Sequence, residues 1–187
     1  MRCEKELVAQ AAQGDETAVI TLYQQHKTAV YTYIYYRIGG DAMLAESITA
    51  DVFTRMVAQL PRFVYRGRPF LAWLYTIARH CVVDQQRRNG RVTLQPLSEH
   101  HPDTAVGPEQ QAHLTLEQNR LHQAISQLSE AQRDVVILRF IEGRSVAETA
   151  ELLDKTEGAV KTLTRRALAA LRRQLELDRK ADHEQTQ

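Results

Sequence analysis

Two helix-start signals bracket a very short turn in residues 145–168, SVAETAELLDKTEGAVKTLTRRAL. Ser145 followed by Glu148 forms a capping box, in which each side chain satisfies a backbone N–H of the other residue. The helix that starts there must end near Asp154, because Thr156 is a good N-cap for a second helix with apolar residues at helical spacing. Two helices joined by three or four residues, the second of them basic, predict a helix-turn-helix. This motif is typical of DNA recognition.

Helical signals also cover most of the remaining chain. The predicted helices are Asp15–Arg37, Asp41 to about Leu60, Phe70–Arg91, Leu114–Leu128, and a helix opened by a capping box of Ser129 with Gln132. The segment 29–38, AVYTYIYYRI, alternates and is rich in tyrosine and β-branched residues, so local propensity favours a strand. We predict a helix there because no partner strand exists elsewhere. The predicted fold class is therefore all-α.

Residues 94–107, LQPLSEHHPDTAVG, contain two prolines and a glycine without sustained periodicity. Such a stretch is typical of an interdomain linker, and Pro108 is a candidate first residue of the next helix. The sequence therefore predicts two small helical domains joined by a flexible linker and followed by a polar tail that frays, with the bounds 1–92, 93–112, 113–177 and 178–187.

The charge is distributed unevenly, although the net charge is only +1. Residues 61–93 hold seven arginines and one acid, and residues 155–173 hold six bases and one acid. Between them, residues 94–120 carry four acids and one base. Two basic zones separated by an acidic connector predict two contact sites for one polyanion. For either zone alone, the alternative is an ordinary solvated helix face.

Composition limits the compartment in which such a chain works. Two cysteines, Cys3 and Cys81, cannot build a disulfide framework, and this favours a reducing environment. The first ten residues, MRCEKELVAQ, lack the apolar core of a signal peptide, and no apolar run approaches the length of a membrane span. We therefore expect a cytoplasmic protein without membrane insertion.

A second motif block lies in residues 63–88, where aromatic residues are interleaved with arginines. Bases stack on aromatic rings while guanidinium groups hold phosphates, so this mixture suits single-stranded nucleic acid. Some of the apolar members are more readily explained as core residues: Phe70, Trp73 and Ile77. Arg66 and Arg68, in a loop before the helix, are better candidates for contacts to the DNA backbone or bases.

Two small clusters raise the alternative of an enzyme with a metal or catalytic site. They are His100, His101 and Asp103 in the linker, and His80, Cys81 and Asp84 on one helix. Isolated clusters without a second pair of ligands are more often loop or packing residues. We therefore predict no catalytic residue, no metal site, no cofactor, and no redox switch between Cys3 and Cys81, because Cys81 fits a core position.

The two motif blocks together resemble an extracytoplasmic-function (ECF) sigma factor of the sigma-70 family. The resemblance rests on RGRPFLAWLYTIARH with Asp84, Arg87 and Arg88, then the acidic linker, then LSEAQRDVVILRFIEGRSVAETAELL and EGAVKTLTRRALAALRR. It covers about Leu7 to Arg173. It implies a protein that binds core RNA polymerase and promoter DNA and directs transcription initiation. It also implies an anti-sigma factor as a partner.

The resemblance further implies roles for particular residues. The segment that would dock on the β′ clamp helices of the polymerase contains Ala45, Glu46, Thr49, Asp51, Val52 and Phe53. The residues that would read and open the −10 element are Arg66, Arg68, Arg79, His80, Asp84, Arg87 and Arg88. The helix that would enter the major groove at the −35 element carries Thr156, Glu157, Lys161, Thr162, Arg165 and Arg166. Contact with the β flap is implied for Leu138, Arg139 and Phe140.

The chain departs from the family pattern at a few positions: Ser47 and Ala50 in the docking segment, His80 where Asn is common, Thr149 in place of Ile or Val, and Asp154 at the glycine position of the turn. Asp tolerates the left-handed backbone that such a turn requires. We also expect a pocket for an extruded base beside the loop Val64–Arg68.

A free-standing helix-turn-helix regulator is the other function that fits. Its N-terminal half would sense a ligand or dimerise. This alternative explains residues 129–173 equally well but leaves the block of arginines and aromatic residues unexplained. Association with core polymerase discriminates between the two.

Overall fold

The computed structural model describes residues 4–89 and 108–185, with side chains for 4–88 and 117–176. Over these ranges the chain forms eight α-helices and no strand, which confirms the all-α prediction. The helices are α1 Glu4–Ala12, α2 Glu16–Arg37, α3 Ala42–Gln59, α4 Phe70–Asn89, α5 Pro108–Ser126, α6 Glu130–Val136, α7 Val146–Leu153 and α8 Glu157–Gln185.

Side-chain caps set the beginnings of α2 and α3, and the beginning of each helix agrees with the predicted bounds. The carboxylate of Asp15 accepts a hydrogen bond from the Ala18 N–H at 3.1 Å, and that of Asp41 accepts one from the Leu44 N–H at 2.9 Å. A 3₁₀ turn over Leu60–Arg62, with Pro61 inside it, follows α3. The tyrosine-rich segment 29–38 continues α2 as far as Arg37, so tertiary packing overrides its strand propensity.

The N-terminal lobe consists of α1 to α4 packed around one apolar core. The predicted stripe of α4 is buried in this core: Phe70, Leu74, Ile77 and Cys81. Helix α1, which the sequence did not predict, adds Leu7, Val8 and Ala11 to it.

The C-terminal lobe consists of α5 to α8. Helix α6 passes into a π-helical turn, Ile137–Ile141, in which the Glu142 N–H donates to the Ile137 carbonyl at 2.9 Å. The capping box before α7 is present: the Glu148 N–H donates to the Ser145 hydroxyl at 3.1 Å, and the Ser145 N–H donates to the Glu148 carboxylate at 2.7 Å. Asp154 ends α7 with φ 56°, in the left-handed region. Thr156 caps α8, as predicted, by accepting from the Ala159 N–H at 3.2 Å.

Two predicted boundaries differ from the structure. Helix α5 begins at Pro108, the candidate first residue that the sequence indicated, rather than at Leu114, and it therefore starts inside the range 93–112 predicted as linker. Helix α8 continues to Gln185, so the stretch predicted to fray is helical over its described part. Residues 90–107, which hold most of the predicted linker, lie outside the described residues.

The two lobes are in direct contact. A single buried apolar cluster contains core residues of α1 to α4 together with residues of the C-terminal lobe: Val135, Ile137, Leu138, Ala150, Leu152, Leu153 and Val160. Helices α6 and α7 pack against α2 and α4. The sequence predicted two lobes, but nothing in its local patterns indicated this contact.

Candidate nucleic-acid interface

A groove of about 570 Å³ lies beside the loop between α3 and α4, where we expected a pocket. Three arginines, Arg62, Arg66 and Arg68, line this groove together with the aromatic rings of Phe63 and Trp73. Cationic side chains beside aromatic rings favour the binding of an unstacked nucleotide, whose base has an apolar face and whose phosphate is anionic.

Aromatic contacts hold the floor of this groove. The ring centroid of Trp73 lies 4.5 Å from that of Phe63 and 5.2 Å from that of Phe70. Phe70 and Ile77 are buried, which confirms their interpretation as core residues. Trp73 is only partly buried, so for this residue the interpretation was incomplete. The ring packs on the core with one part and borders the groove with another.

The outer face of α4 carries the other residues predicted for the −10 element. His80, Arg87 and Arg88 are exposed. Asp84 is partly buried, and its Oδ2 accepts from both terminal nitrogens of Arg55, at 3.0 and 3.1 Å. Hydrogen bonding to Asp84 is the main reason that the pKa of Arg55 is raised. Arg55, on α3, was missed because nothing in the sequence links it to a residue 29 positions away.

Two of the arginines predicted to contact DNA are instead bound to the C-terminal lobe. Arg68 Nη1 lies 3.1 Å from the Asp154 carboxylate, and Arg68 Nη2 donates to the Glu151 carbonyl at 3.0 Å. Arg79 Nη1 lies 3.4 Å from the carboxylate of Asp134. In this arrangement both guanidinium groups are engaged by groups of the C-terminal lobe.

The N-terminal half of α8 presents its polar residues to solvent. All six predicted residues are exposed: Thr156, Glu157, Lys161, Thr162, Arg165 and Arg166. Thr156 is committed to its cap, and the Thr162 hydroxyl donates to the Gly158 carbonyl at 2.9 Å. Lys161 lies 3.6 Å from Glu157 in an exposed pair, which contributes little to stability. Lys161, Arg165 and Arg166 are the exposed cationic side chains among these six residues.

The three residues implied in flap contact all lie in the π-helical turn, but they differ in exposure. Leu138 is fully buried, whereas Phe140 is 49% exposed. Arg139 borders a groove of about 510 Å³ that also contains Val146, Lys161 and Arg172. Phe140 and Arg139 are thus the members of this set that a partner could reach.

The residues predicted to dock on polymerase also differ in exposure. Glu46 and Asp51 are exposed on α3, whereas Thr49 and Phe53 are buried. Phe53 packs edge-on against Tyr23, with ring centroids 4.8 Å apart. Beside them, Glu46 helps to line a groove of about 380 Å³.

The geometry of both lobes agrees with the comparisons to known families. Residues 22–92 match sigma-70 region 2 and residues 118–171 match sigma-70 region 4. The ECF RNA polymerase sigma factor SigD of Mycobacterium tuberculosis is 35% identical over 172 residues, which cover 89% of this chain and 81% of SigD. The chain belongs to the ECF sigma factors.

Two further comparisons extend the match over both lobes of the sigma factor. The ECF RNA polymerase sigma factor BldN of Streptomyces coelicolor is 41% identical over 173 residues, which cover 91% of this chain and 65% of BldN. The solved structure of CnrH in complex with the cytosolic domain of CnrY is 25% identical, covers 94% of this chain and 98% of CnrH, and has a TM-score of 0.67. The free-standing regulator is not favoured, because the match includes region 2 as well as the helix-turn-helix.

No group of histidine, cysteine and acidic side chains in the described part of the sigma factor could hold a metal ion. In the cluster on α4, Cys81 is buried, and burial raises the pKa of its thiol. The other cluster, His100, His101 and Asp103, lies outside the described residues, as does Cys3. None of the described helices is both long and apolar enough to cross a membrane.

Proposed function

We propose that this sigma factor binds core RNA polymerase and directs promoter-specific transcription initiation, using the groove beside α4 for the −10 element and α8 for the −35 element. The observation that carries the proposal is the groove lined by arginines and floored by aromatic rings in the lobe that matches region 2. A second basic surface, on α8, lies in the lobe that matches region 4.

At the −10 element, Arg66 and Arg68 hold phosphates while a base leaves the stack and enters the groove. Unstacking costs a few kcal/mol per base, and capture against Trp73 and Phe63 offsets that cost. His80, Arg87 and Arg88 extend the cationic face along α4, and Arg55 holds the carboxylate of Asp84 in place. Arg68 and Arg79 join this face once they leave Asp154 and Asp134.

At the −35 element, α8 lies in the major groove. Lys161, Arg165 and Arg166 are the donors for base edges and phosphates, and each good bidentate contact to a base discriminates by about 1–3 kcal/mol. Thr156, Glu157 and Thr162 complete the face of α8 that meets the DNA, and Thr156 also caps the helix.

We propose two contacts with the polymerase. The exposed residues Glu46 and Asp51 meet the β′ clamp helices, with Thr49 and Phe53 holding α3 beneath them. Phe140 and Arg139 meet the β flap. An anti-sigma factor is a further proposed partner, supported by the likeness to CnrH, which was solved in complex with the cytosolic domain of CnrY.

The protein supplies binding energy rather than catalysis. We assign it no catalytic residue and no cofactor, since the polymerase carries out the chemistry. We place it in the cytoplasm because polymerase and promoter DNA are found there.

Run-off transcription with core polymerase on genomic fragments tests the function. We expect the purified protein to co-elute with core polymerase and to support transcripts whose start sites share two upstream elements. Binding to duplex DNA without any association with polymerase would instead support a free-standing regulator.

A further inference from the structure

Asp84 is the only acidic residue in the basic zone of residues 61–93. It lies on α4 among the residues proposed for the −10 element, four positions after His80 and three and four positions before Arg87 and Arg88. A carboxylate at this position acts against DNA binding in two ways. It repels phosphates, and it attracts the arginines that bind them.

Within α4, Arg88 is the natural partner of Asp84. Side chains three or four residues apart on a helix are neighbours, and an acid that precedes a base at this spacing forms the more favourable pair. The thiol of Cys81 lies in the same region. Burial is the main cause that raises its pKa, and the charges of Arg55, Asp84 and Arg88 also act on it. On α4 alone, the carboxylate would therefore bind an arginine of the DNA surface.

The structure shows a different pairing. Asp84 Oδ2 accepts from Nη1 and Nη2 of Arg55, at 3.0 and 3.1 Å, so the carboxylate is bound from α3. Both side chains are partly exposed, Arg55 by 36% and Asp84 by 42%. An ion pair with this exposure contributes little to folding stability. The pair is therefore better explained by its effect on the surface of α4 than by its effect on the fold.

We propose that Arg55 is a positioning residue for the −10 element: by binding Asp84 from α3, it keeps this carboxylate from Arg87 and Arg88, so that both arginines meet DNA phosphates. Arg55 acts without touching DNA itself. Asp84, which the sequence placed among the DNA contacts, makes its contact within the protein instead. The inference rests on the proposed function, because it concerns how the surface of α4 stays available to the −10 element.

A double-mutant cycle in the holoenzyme tests this role. The four proteins are the wild type, Arg55→Gln, Asp84→Asn and the double variant, each with saturating core polymerase so that polymerase affinity does not enter. Promoter opening is followed with a fluorescent base analogue in the −10 element. Affinity for a fork-junction DNA with a single-stranded −10 element is measured over a series of salt concentrations. The coupling is the difference between the effects of Asp84→Asn in the two backgrounds.

We expect Arg55→Gln to weaken binding to the fork-junction DNA about tenfold, because the released carboxylate takes an arginine from the DNA. The slope of log affinity against log salt should fall in magnitude by about 0.7, the contribution of one phosphate contact with a single strand. In this background, Asp84→Asn should restore most of the affinity, the slope and promoter opening, since no carboxylate remains to bind Arg87 or Arg88. In the wild-type background its effect should be smaller, because Arg55 already holds the carboxylate.

An additive cycle overturns the inference. If Arg55 binds a phosphate directly, Asp84→Asn has the same effect in both backgrounds and the double variant stays weak. If the pair acts only on the fold, the loss of DNA binding follows the loss of folded protein in urea unfolding. Lys5→Gln, which removes one exposed positive charge from α1, is the control and should match the wild type in opening and in affinity.

Arg55→Lys covers the case in which Arg55→Gln loses helical content by circular dichroism. It keeps the positive charge but not the fork of two donors, and it should show the same coupling with Asp84→Asn at a smaller size. An additive cycle in a holoenzyme whose wild type opens promoters refutes the inference alone. A wild type that opens no promoter with core polymerase refutes the proposed function, and the inference with it.

Discussion

His26 is a largely buried titratable side chain, 12% exposed, close to the contact between the lobes. Its ring lies 5.7 Å from that of Phe70, and its Nε2 is 4.0 Å from the Glu4 carboxylate. Burial, and secondly the positive charge of Arg144, lower the pKa of His26 from 6.5 to about 4. The folded protein therefore holds this histidine neutral at every pH near neutrality.

This lowered pKa predicts a loss of stability in mild acid. As pH falls below 6.5, the unfolded chain takes up a proton that the folded His26 refuses until about pH 4. The free energy of unfolding should therefore fall by up to about 3 kcal/mol across this range. Glu142 acts in the opposite direction, because burial raises the pKa of its carboxyl.

His26→Gln removes the contribution of His26 to the pH dependence of stability and keeps that of Glu142. Urea unfolding followed by circular dichroism at a series of pH values should show a smaller acid loss in this variant than in the wild type. Equal pH profiles would contradict the assignment to His26.

The partly buried position of Trp73 predicts that truncating this side chain lowers promoter opening more than it lowers stability. A fully buried tryptophan costs about 3–5 kcal/mol when truncated to alanine, and the partly buried Trp73 should cost less in Trp73→Ala. Promoter opening, followed with a fluorescent base analogue in the −10 element, should fall much further than stability does. Trp73→Phe, which keeps a ring in the groove, is the matched comparison and should retain most opening. A loss of opening no larger than the loss of folded protein would assign Trp73 to the core alone.

At the scale of helices, the sequence predicted most of the structure because the signals are local. Caps at Asp15, Asp41, Ser145 and Thr156 lie within three residues of the N–H groups that they satisfy. The π-helical turn at Ile137–Ile141 has no such signal. Its sequence, ILRFI, continues the apolar pattern of α6, and the sequence therefore predicted one uninterrupted helix.

The capping box of α7 predicts that replacing Ser145 destabilises the protein more than replacing Ser129. Ser145→Ala removes the acceptor of the Glu148 N–H and should lower the free energy of unfolding by about 1 kcal/mol. Ser129→Ala is the comparison, since the Ser129 hydroxyl donates to the Gln132 side chain, and its backbone N–H bond to the same oxygen survives. Ser129→Ala should therefore lower the free energy of unfolding by less than Ser145→Ala does. Chemical denaturation of both variants checks the order, and a reversed order would contradict it.

At the scale of the whole molecule, the proposed function assigns DNA binding and polymerase binding to different surfaces. Arg166→Ala, on the exposed face of α8, should weaken binding to a duplex carrying the −35 element by about 1–3 kcal/mol. Affinity for core polymerase should not change, because the proposed polymerase contacts lie on α3 and the π-helical turn. Lys5→Ala, an exposed change on α1, is the control for lost positive charge. Equal loss of both affinities in Arg166→Ala would refute this division.

The sequence by itself determined the all-α class, the caps, the buried stripe of α4 and the helix-turn-helix, since each depends on residues within one or two turns of one another. It also indicated the region of the groove beside α4 through the alternation of arginines and aromatic residues. Only the tertiary structure decided that Arg55 holds Asp84, that Trp73 borders the groove, and that Arg68 and Arg79 bind the opposite lobe. Those partners are 29 to 86 positions apart along the chain, and no local pattern encodes which distant charges meet when two separately folded cores come together.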